Sequence, residues 1–282
     1  MRVLLAGVCM ETGPDRELSA PERLAIRCMG QEASRGEPAT GRATFRIRLG
    51  RRPLKVARRP GGPGPAEVSV SGELVQMHHR DFEADLDVAA GHGVLRRDRG
   101  TTFPVESTLR TALCCRLPLI GGVALHAAGI VVDGHGFVFY GPSGAGKSTL
   151  AGTSPHPVVS DELVAVAGDP FELRHTGFWG ELGARGGAPL GAPLAALVEL
   201  AKGPHLELTP IDPATAFRRL LGAVVLPPAP ALWRPATAVV ARLVATVPVL
   251  RLAWHPAAPP WPALEAFIQT NHGHADGRRR LA

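Results

Sequence analysis

The chain has 282 residues, of which 45% are hydrophobic and 20% are charged. This composition can bury the core of one large or two small domains, so disorder of the whole chain is not the expected state. The formal net charge is +6, but the segment 42–59 alone carries eight basic residues and no acidic one. We predict that this basic segment is a solvated strand face and loop. Binding of nucleic acid or of an acidic leader peptide is the alternative for it.

The four cysteines favour a reducing compartment over a disulfide framework. They include the adjacent pair Cys114 and Cys115 and form no C-x-x-C pattern, which also argues against a zinc site. Four histidines lie in two close pairs, but no cysteine or carboxylate is spaced so as to complete a metal site with them. We expect these histidines on the surface or in a tail. These histidines are His78, His79, His272 and His274.

Two apolar segments have some features of targeting or membrane signals. Residues 1–10 contain one arginine and a short apolar run, but acidic residues follow without the small residues of a cleavage site, which favours a strand over a signal peptide. The longest nearly apolar run, residues 117–132, is 16 residues long and contains His126, so it is too short and too polar for a membrane span. We therefore expect a cytoplasmic protein without a membrane partner.

The first hundred residues predict a small β-rich domain. Apolar residues at 45, 47 and 49 alternate with arginines, and those at 82–88 alternate with acidic residues, a period that is typical of half-buried strands. Our hypothesis is that these two strands are neighbours, because arginine–carboxylate pairs across them would help to fix their register. Between them, Pro60–Pro65 (PGGPGP) predicts a turn or loop.

The remaining pattern predicts mixed α/β structure. A helix is expected from Pro104 to about Arg116, followed by strands over 123–132 and 137–140 with a turn at Asp133-Gly134. The later predicted elements are a helix over 188–202, a helix over 213–222, one or two strands over 236–254, a short helix over 261–268 and a tail over 271–282.

The motif that carries chemistry is GPSGAGKST, which matches the phosphate-binding pattern G-x-x-x-x-G-K-[ST]. It follows a predicted strand and precedes a short predicted helix over 147–152. Lys147 is expected to reach the β- and γ-phosphates of ATP, and Ser148 to ligate Mg²⁺. A structural glycine-rich turn is the alternative. The predicted nucleotide-binding residues are Gly141, Pro142, Ser143, Gly144, Ala145, Gly146, Lys147, Ser148 and Thr149.

Two carboxylates follow this motif at short distance. Asp161 and Glu162 end or interrupt an apolar run, and Asp161 lies 14 residues after Lys147. Transporter-type ATPases, recombinase-like motors and small GTPases carry their second acidic motif much further along the chain. The short spacing leaves room for only one short helix between the loop and the carboxylates.

These segments resemble the catalytic core of the HPr kinase/phosphorylase family, whose fold is related to phosphoenolpyruvate carboxykinase. Leu125–Gly134 (LHAAGIVVDG) is similar to the family's histidine-containing hairpin, and Ser160–Val164 (SDELV) is similar to its Ala-Asp-Asp-Arg-Val. A weaker similarity over 177–190 is to shorter HPr-kinase-like proteins, including those associated with modified-peptide pathways in bacteria. Glu162 replaces the family's second aspartate, and a Pro-Gly-Arg-Asn stretch is missing, so HPr itself is not the expected substrate.

The resemblance implies roles for individual residues. Asp161 would accept the proton of an attacking hydroxyl or orient it, or it would act only as a Mg²⁺ ligand. Glu162 is expected beside the metal or in solvent at a strand end. His126 would contact the phosphate or the base, and a buried core histidine is the alternative. Arg185, and less directly Arg174, would neutralise phosphoryl charge.

We therefore predict an α/β fold in three parts: a small β-rich N-terminal domain over 1–100, a P-loop kinase core of the HPr-kinase/phosphoenolpyruvate-carboxykinase type over 101–270, and a tail over 271–282. The resemblance implies a serine kinase that transfers the γ-phosphoryl group of ATP, with Mg²⁺, to a Ser or Thr hydroxyl of a protein or peptide. The alternatives are transfer to a small molecule, ATP hydrolysis and non-catalytic nucleotide sensing. A homo-oligomer is also implied, and nucleic acid is not an expected partner.

Overall fold

The computed structural model describes residues 1–13, 17–29, 31–32, 44–51, 64–97, 101–183 and 188–272. The chain forms two compact units, residues 1–124 with 225–239 and residues 125–224 with 240–282. The structure is mixed α/β with two sheets, as predicted. The predicted domain ranges 1–100, 101–270 and 271–282 stay a prediction. Most of the predicted loop at 60–65 and most of the predicted tail lie outside the described residues. In the part of the chain that is described, no helix is long and apolar enough to cross a bilayer.

The N-terminal part is built on a sheet that has eight strands within the described residues, in the order β3-β1-β2-β4-β8-β7-β6-β5. The strands are β1 (Arg2–Leu5), β2 (Val8–Thr12), β3 (Gln31–Glu32), β4 (Thr44–Arg51), β5 (Glu67–Ser71), β6 (Leu74–His79), β7 (Phe82–Asp87) and β8 (His92–Arg97). The helices are α1 (Ala20–Met29) and α2 (Phe103–Leu119). The strands predicted from alternation and the helix predicted from residue 104 are thus confirmed.

The basic strand and the acidic strand are not neighbours. β4 pairs with β8, and β8 pairs with β7, so β8 lies between them. The predicted direct pairing is wrong because β8 supplies its own arginine: Arg96 Nη1 lies 2.7 Å from Asp85 Oδ2 on β7. Hydrogen bonds from Gln76 and then from Arg96 hold the pKa of Asp85 below its ordinary value. Arg46 and Arg48 are exposed on β4, and Arg46 Nε lies 2.8 Å from Glu11 Oε2 on β2.

One of the histidines predicted on the surface is buried. The side chain of His79 is 4% exposed, and its ring lies 5.4 Å from that of Phe82 and 5.0 Å from that of Phe103. The surface prediction is therefore wrong for His79, because its ring completes an aromatic cluster. His78 is exposed. The side chains of His272 and His274 lie outside the described residues.

A buried ion pair joins α1 to the end of β8. Arg97 Nε donates to Glu22 Oε1 over 2.5 Å and Nη2 donates to Glu22 Oε2 over 3.0 Å. The two side chains are 2% and 0% exposed. Burial acts to raise the pKa of Glu22, but hydrogen bonds from Arg97 and Ser19 outweigh it and hold the pKa below its ordinary value. The charged pair therefore stabilises the fold at neutral pH.

We expect Glu22→Gln to lower the free energy of unfolding by about 3–5 kcal/mol at neutral pH, because it leaves the guanidinium of Arg97 buried without a counter-charge. Folding lowers the pKa of Glu22. The charged carboxylate of Glu22 therefore stabilises the wild-type protein at pH values above the pKa that Glu22 has in the unfolded chain. This stabilisation is lost as the pH falls through the pKa that Glu22 has in the folded protein. The difference between the two proteins should shrink below about pH 4. Urea unfolding at neutral pH and at about pH 3.5 measures both effects.

Glu11→Gln is the matched control for this prediction. The carboxylate of Glu11 pairs with Arg2 and Arg46 and is 24% exposed. An ion pair of this exposure contributes about 0–1 kcal/mol, so the control should lose little stability. Equal losses in the two variants would contradict a special role for the buried pair.

The elements from residue 123 onward combine nine strands and four helices within the described residues. The strands are β9 (Val123–His126), β10 (Ala128–Val132), β11 (His135–Tyr140), β12 (Val158–Ser160), β13 (Leu163–Gly168), β14 (Phe171–His175), β15 (Gly191–Lys202), β16 (Glu207–Pro210) and β17 (Val249–Trp254). The helices are α3 (Lys147–Gly152), α4 (Pro213–Leu221), α5 (Pro230–Thr246) and α6 (Trp261–His272).

Most local predictions for this part are confirmed, one is wrong, and one is wrong in its first part only. β10 and β11 form the predicted hairpin, with φ of 47° at Asp133 and 78° at Gly134. The helices predicted after the loop, over 213–222 and from 261, are α3, α4 and α6. The predicted helix over 188–202 is instead the strand β15, and the predicted strands over 236–254 are the end of α5 followed by β17.

Both errors have a physical cause. Residues 195–198 of β15 are buried one after another, as in a strand covered on both faces, so its sequence lacks alternation. Its alanines, leucines and charged residues also favour a helix. In α5, the valines at 239, 240 and 244 suggest a strand, but the segment is helical. Tertiary pairing and packing override the local preference in each case.

Three parallel strands position the predicted phosphate-binding loop. β11 pairs in parallel with β15, and β15 pairs in parallel with β17. One face of these strands shares a buried apolar cluster with α3 and α6 that includes Phe139, Leu200, Trp254 and Trp261. Ligands of open α/β sheets bind at the carboxyl ends of parallel strands. The segment 141–146 leaves the carboxyl end of β11 at this edge.

Candidate functional site

The predicted phosphate-binding loop joins β11 to α3. Gly141, Gly144 and Gly146 have φ values of 152°, 76° and 101°, which residues with a side chain rarely adopt. At Gly146, an added Cβ would lie 3.1 Å from the ring of Trp254. The turn between strand and helix therefore requires glycine for its backbone conformation and, at Gly146, for its space.

Lys147 lies over the start of its own loop. Its side chain is buried, and Nζ donates to the carbonyl oxygens of Gly141 at 3.0 Å and Pro142 at 3.3 Å. Burial lowers the pKa of Lys147, and the charge of Glu162 opposes this. An ammonium that holds two carbonyl oxygens at the start of the loop can exchange them for phosphate oxygens.

Asp161 is buried between β12 and β13, where it holds the segment 177–182, here called the covering loop. Its Oδ1 accepts from the backbone N–H of Gly180 at 2.9 Å, and its Oδ2 accepts from that of Leu182 at 3.1 Å. Ser160 tethers the same loop by donating to the carbonyl oxygen of Phe178 at 2.7 Å. A carboxylate has about four lone-pair sites, so Asp161 keeps acceptor capacity for a further donor or a metal.

Glu162 lies next to Asp161 and is half-buried. Its charge acts on Lys147. An added Cβ at Gly180 would lie 3.0 Å from both Asp161 Oδ2 and Glu162 Oε2. The two carboxylates therefore face the same glycine, with Glu162 close enough to the loop lysine to affect its charge. The sequence predicts that the acidic pair either ends or interrupts an apolar run. In the structure the pair interrupts it, between β12 and β13.

His126 lies at the end of β9 and is exposed, so the alternative of a buried core histidine is wrong. Its backbone N–H donates to the carbonyl oxygen of Ala223 at 2.8 Å. The N–H of the next residue, Ala127, donates to the carbonyl oxygen of Glu162 at 3.1 Å. The backbone thus brings His126 near the acidic pair, and its chemical role stays a prediction.

The two arginines predicted to neutralise phosphoryl charge differ in what the structure shows. Arg174 Nη2 lies 3.0 Å from Glu172 Oε2 on the same strand. Its charge therefore already has a carboxylate partner on β14. Arg185 lies outside the described residues, and its role stays a prediction.

A cleft of about 420 Å³ opens beside the first half of the loop. The residues that line it are Pro142, Ser143, Gly144, Ala145, Glu199, Leu200, Ala201, Lys202, Arg219 and Arg251. The charged residues of this cleft belong to no motif, so the sequence alone does not single them out. These residues lie on β15, α4 and β17. Because the sequence predicts a helix over 188–202 in place of β15, it gives no indication that Glu199 and Lys202 lie beside the loop.

The oxygen donors near the loop fit Mg²⁺. In the parts of the chain that the structure describes, no group of three or more His, Cys, Asp or Glu side chains could hold a metal. Mg²⁺ is usually bound by one or two carboxylates together with substrate phosphates. The hydroxyl of Ser148 and the carboxylates of Asp161 and Glu162 are donors of the required type for a metal that arrives with a nucleotide.

Comparison with known proteins gives similarity to solved structures alone. No family model matches the sequence, and no curated protein matches it. Among solved structures, the HPr(Ser) kinase/phosphatase from Coxiella burnetii matches with 14% sequence identity and a TM-score of 0.31, over 56% of this chain and 94% of that chain. A TM-score of 0.31 is too low to carry residue roles from that protein to this one.

We expect Gly146→Ala to lower the free energy of unfolding more than Gly144→Ala. Both positions have positive φ, which costs a residue with a Cβ about 1–2 kcal/mol. The added Cβ would meet the ring of Trp254 at 3.1 Å only at residue 146, whereas nothing lies within 4 Å at residue 144. Urea unfolding of the two variants measures the difference, and equal losses would show that the ring of Trp254 does not confine the loop.

Proposed function

We propose that this chain is a Mg²⁺-dependent kinase that transfers the γ-phosphoryl group of ATP to a Ser or Thr hydroxyl of a protein or peptide. The observation that carries the proposal is an acidic pair of which one member, Glu162, acts on the loop lysine. Glu162 acts electrostatically on Lys147, and Asp161 and Glu162 face the same glycine. A loop of this type supports nucleotide binding. A carboxylate beside it adds a group that can orient or deprotonate an attacking hydroxyl.

In the proposed reaction, the acceptor oxygen forms a bond to the γ-phosphorus while the bond from that phosphorus to the bridging oxygen of the departing ADP breaks. The hydroxyl proton passes to Asp161, which keeps lone pairs after its two backbone hydrogen bonds. Lys147 neutralises the β- and γ-phosphate oxygens. His126 and Arg185 are proposed to contact the phosphoryl group. Mg²⁺, held by Ser148 and Asp161, would supply further charge neutralisation at the phosphates when bound.

Lys147→Ala should weaken ATP binding about 10- to 100-fold, since a charge-assisted contact contributes about 1.5–3 kcal/mol. The variant also loses two hydrogen bonds within the loop, so its thermal unfolding is measured in parallel. Arg218→Ala is the control: it removes an exposed cation of α4 that contacts Thr215. Isothermal titration calorimetry with ATP and Mg²⁺ should find the control unchanged. Equal ATP affinity in wild-type protein and Lys147→Ala would contradict nucleotide binding by this loop.

Asp161→Asn should slow phosphoryl transfer strongly while ATP still binds, because an amide cannot accept the hydroxyl proton. General-base catalysis contributes about 10²–10⁴-fold, and we expect a loss in this range. The assay is mass spectrometry of a peptide mixture incubated with ATP, Mg²⁺ and protein, in which only the wild-type protein should produce phosphoserine or phosphothreonine.

The control for this assay is Ser160→Ala, which removes the other tether of the covering loop without removing a carboxylate. We expect it to keep most of the activity. An equal loss in Ser160→Ala and Asp161→Asn would mean that Asp161 only holds the loop. Steady release of phosphate without a labelled peptide would replace the kinase proposal by ATP hydrolysis, and ATP binding with neither product would replace it by nucleotide sensing.

A further inference from the structure

The contacts of Lys147 indicate which end of the loop would receive the terminal phosphate of ATP. Its Nζ lies 3.0 Å from the carbonyl oxygen of Gly141 and 3.3 Å from that of Pro142. The lysine of this motif contacts the β- and γ-phosphates, so the terminal phosphate is expected beside the first residues of the loop. Pro142 and Ser143 also line the cleft. The cleft therefore opens onto the position of the terminal phosphate.

The charges that line the cleft favour an anion. Lys202, Arg219 and Arg251 contribute three positive charges, and all three residues are exposed. Glu199 contributes one negative charge. A phosphate group that enters the cleft would therefore meet an excess of cations, two of which are guanidinium groups whose planar fork suits phosphate oxygens.

The register of the sheet aligns these groups. Tyr140 of β11 pairs with Glu199 of β15, which pairs with Arg251 of β17, so the three side chains project from the same face of the sheet. Arg219 reaches this row from α4 and forms an ion pair with Glu199. The side chain of Arg219 is 41% exposed in this pair. Its guanidinium is therefore at the cleft surface, where it can turn from the carboxylate to a phosphate.

Tyr140 gives independent evidence that a donor in this row lacks an acceptor. The residue is 1% exposed, and its hydroxyl finds no hydrogen-bond partner among the residues that the structure describes. Burial raises the pKa of Tyr140, and the nearby charge of Glu199 raises it further. A buried hydroxyl without a partner is costly. If Arg219 leaves Glu199, the carboxylate becomes an acceptor for this hydroxyl.

We propose that Arg219 is a catalytic residue that leaves Glu199 when ATP binds and contacts the terminal phosphate, while Tyr140 donates to Glu199 in its place. This inference rests on the proposed function, because it takes ATP as the ligand of the loop. Arg251 flanks the same phosphate from β17. An arginine that contacts the transferring phosphoryl group neutralises the charge that develops on it.

The test compares ATP with ADP, which differ by the terminal phosphate. Isothermal titration calorimetry of the full chain with Mg²⁺ should find ATP binding weakened about 10- to 100-fold in Arg219→Gln. ADP binding should stay within about twofold of wild type. The matched control is Arg218→Gln, on the same helix and bound to Thr215 instead of Glu199, and it should bind both nucleotides like the wild-type protein.

The outcomes separate this inference from the proposed function. ATP binding that depends on Lys147 but not on Arg219, or an equal loss for ATP and ADP in Arg219→Gln, overturns the inference alone. Absence of ATP binding by the wild-type protein, or full ATP binding by Lys147→Ala, overturns the proposed function and this inference with it.

Tyr140→Phe tests the exchange of partners on Glu199. Because the hydroxyl lacks a partner in the structure, its removal should leave the melting temperature of the nucleotide-free protein unchanged or raise it. The same variant should bind ATP about 3- to 10-fold more weakly and ADP like the wild-type protein. A lower melting temperature without nucleotide, together with wild-type ATP affinity, would overturn the exchange.

Discussion

The parallel pairing of β11, β15 and β17 is the constraint on which the rest of the site depends. Because the three strands run in one direction, segments near residues 140, 200 and 252 meet at one edge of the sheet although they are far apart in sequence. The loop starts directly after Tyr140, β15 forms a wall of the cleft, and Trp254 at the end of β17 limits the space at Gly146. A shift of register by one residue would turn Glu199 and Arg251 to the opposite face.

The acidic pair divides two tasks between neighbouring carboxylates. Asp161 is 2% exposed and accepts from two backbone N–H groups of the covering loop, whereas Glu162 is half-buried and acts on the charge of Lys147. Two backbone hydrogen bonds hold the carboxylate of Asp161 in one orientation, which is what the proposed proton acceptor would require. Those bonds also tie the covering loop to this carboxylate. In the proposed reaction, the order of the loop and the acceptance of the proton would therefore be coupled at Asp161.

The sequence was sufficient where a few consecutive residues determine the structure. The turn at Asp133-Gly134 needs positive φ at both positions, and a glycine-rich loop between a strand and a helix is a local pattern. The sequence was insufficient where contacts between distant segments determine the structure. No local signal shows that β8 lies between β4 and β7, or that β15 is a strand buried on both faces. Since Glu199 reaches the loop through β15, the error over 188–202 also concealed the cleft.

Two arginine–glutamate pairs in this chain illustrate how burial separates a structural role from a chemical one. Arg97 and Glu22 are 2% and 0% exposed, so removal of one partner would leave a buried charge, at a cost of about 3–5 kcal/mol. Arg219 is 41% exposed, whereas Glu199 is 14% exposed, so separation returns the guanidinium to water but leaves a largely buried carboxylate that needs another donor. The hydroxyl of Tyr140, proposed to donate to Glu199, and a charge-assisted bond from Arg219 to phosphate, which contributes about 1.5–3 kcal/mol, would together offset this smaller cost. A phosphate can therefore recruit Arg219 from its carboxylate without disturbing the fold, which a pair buried like that of Arg97 would not allow.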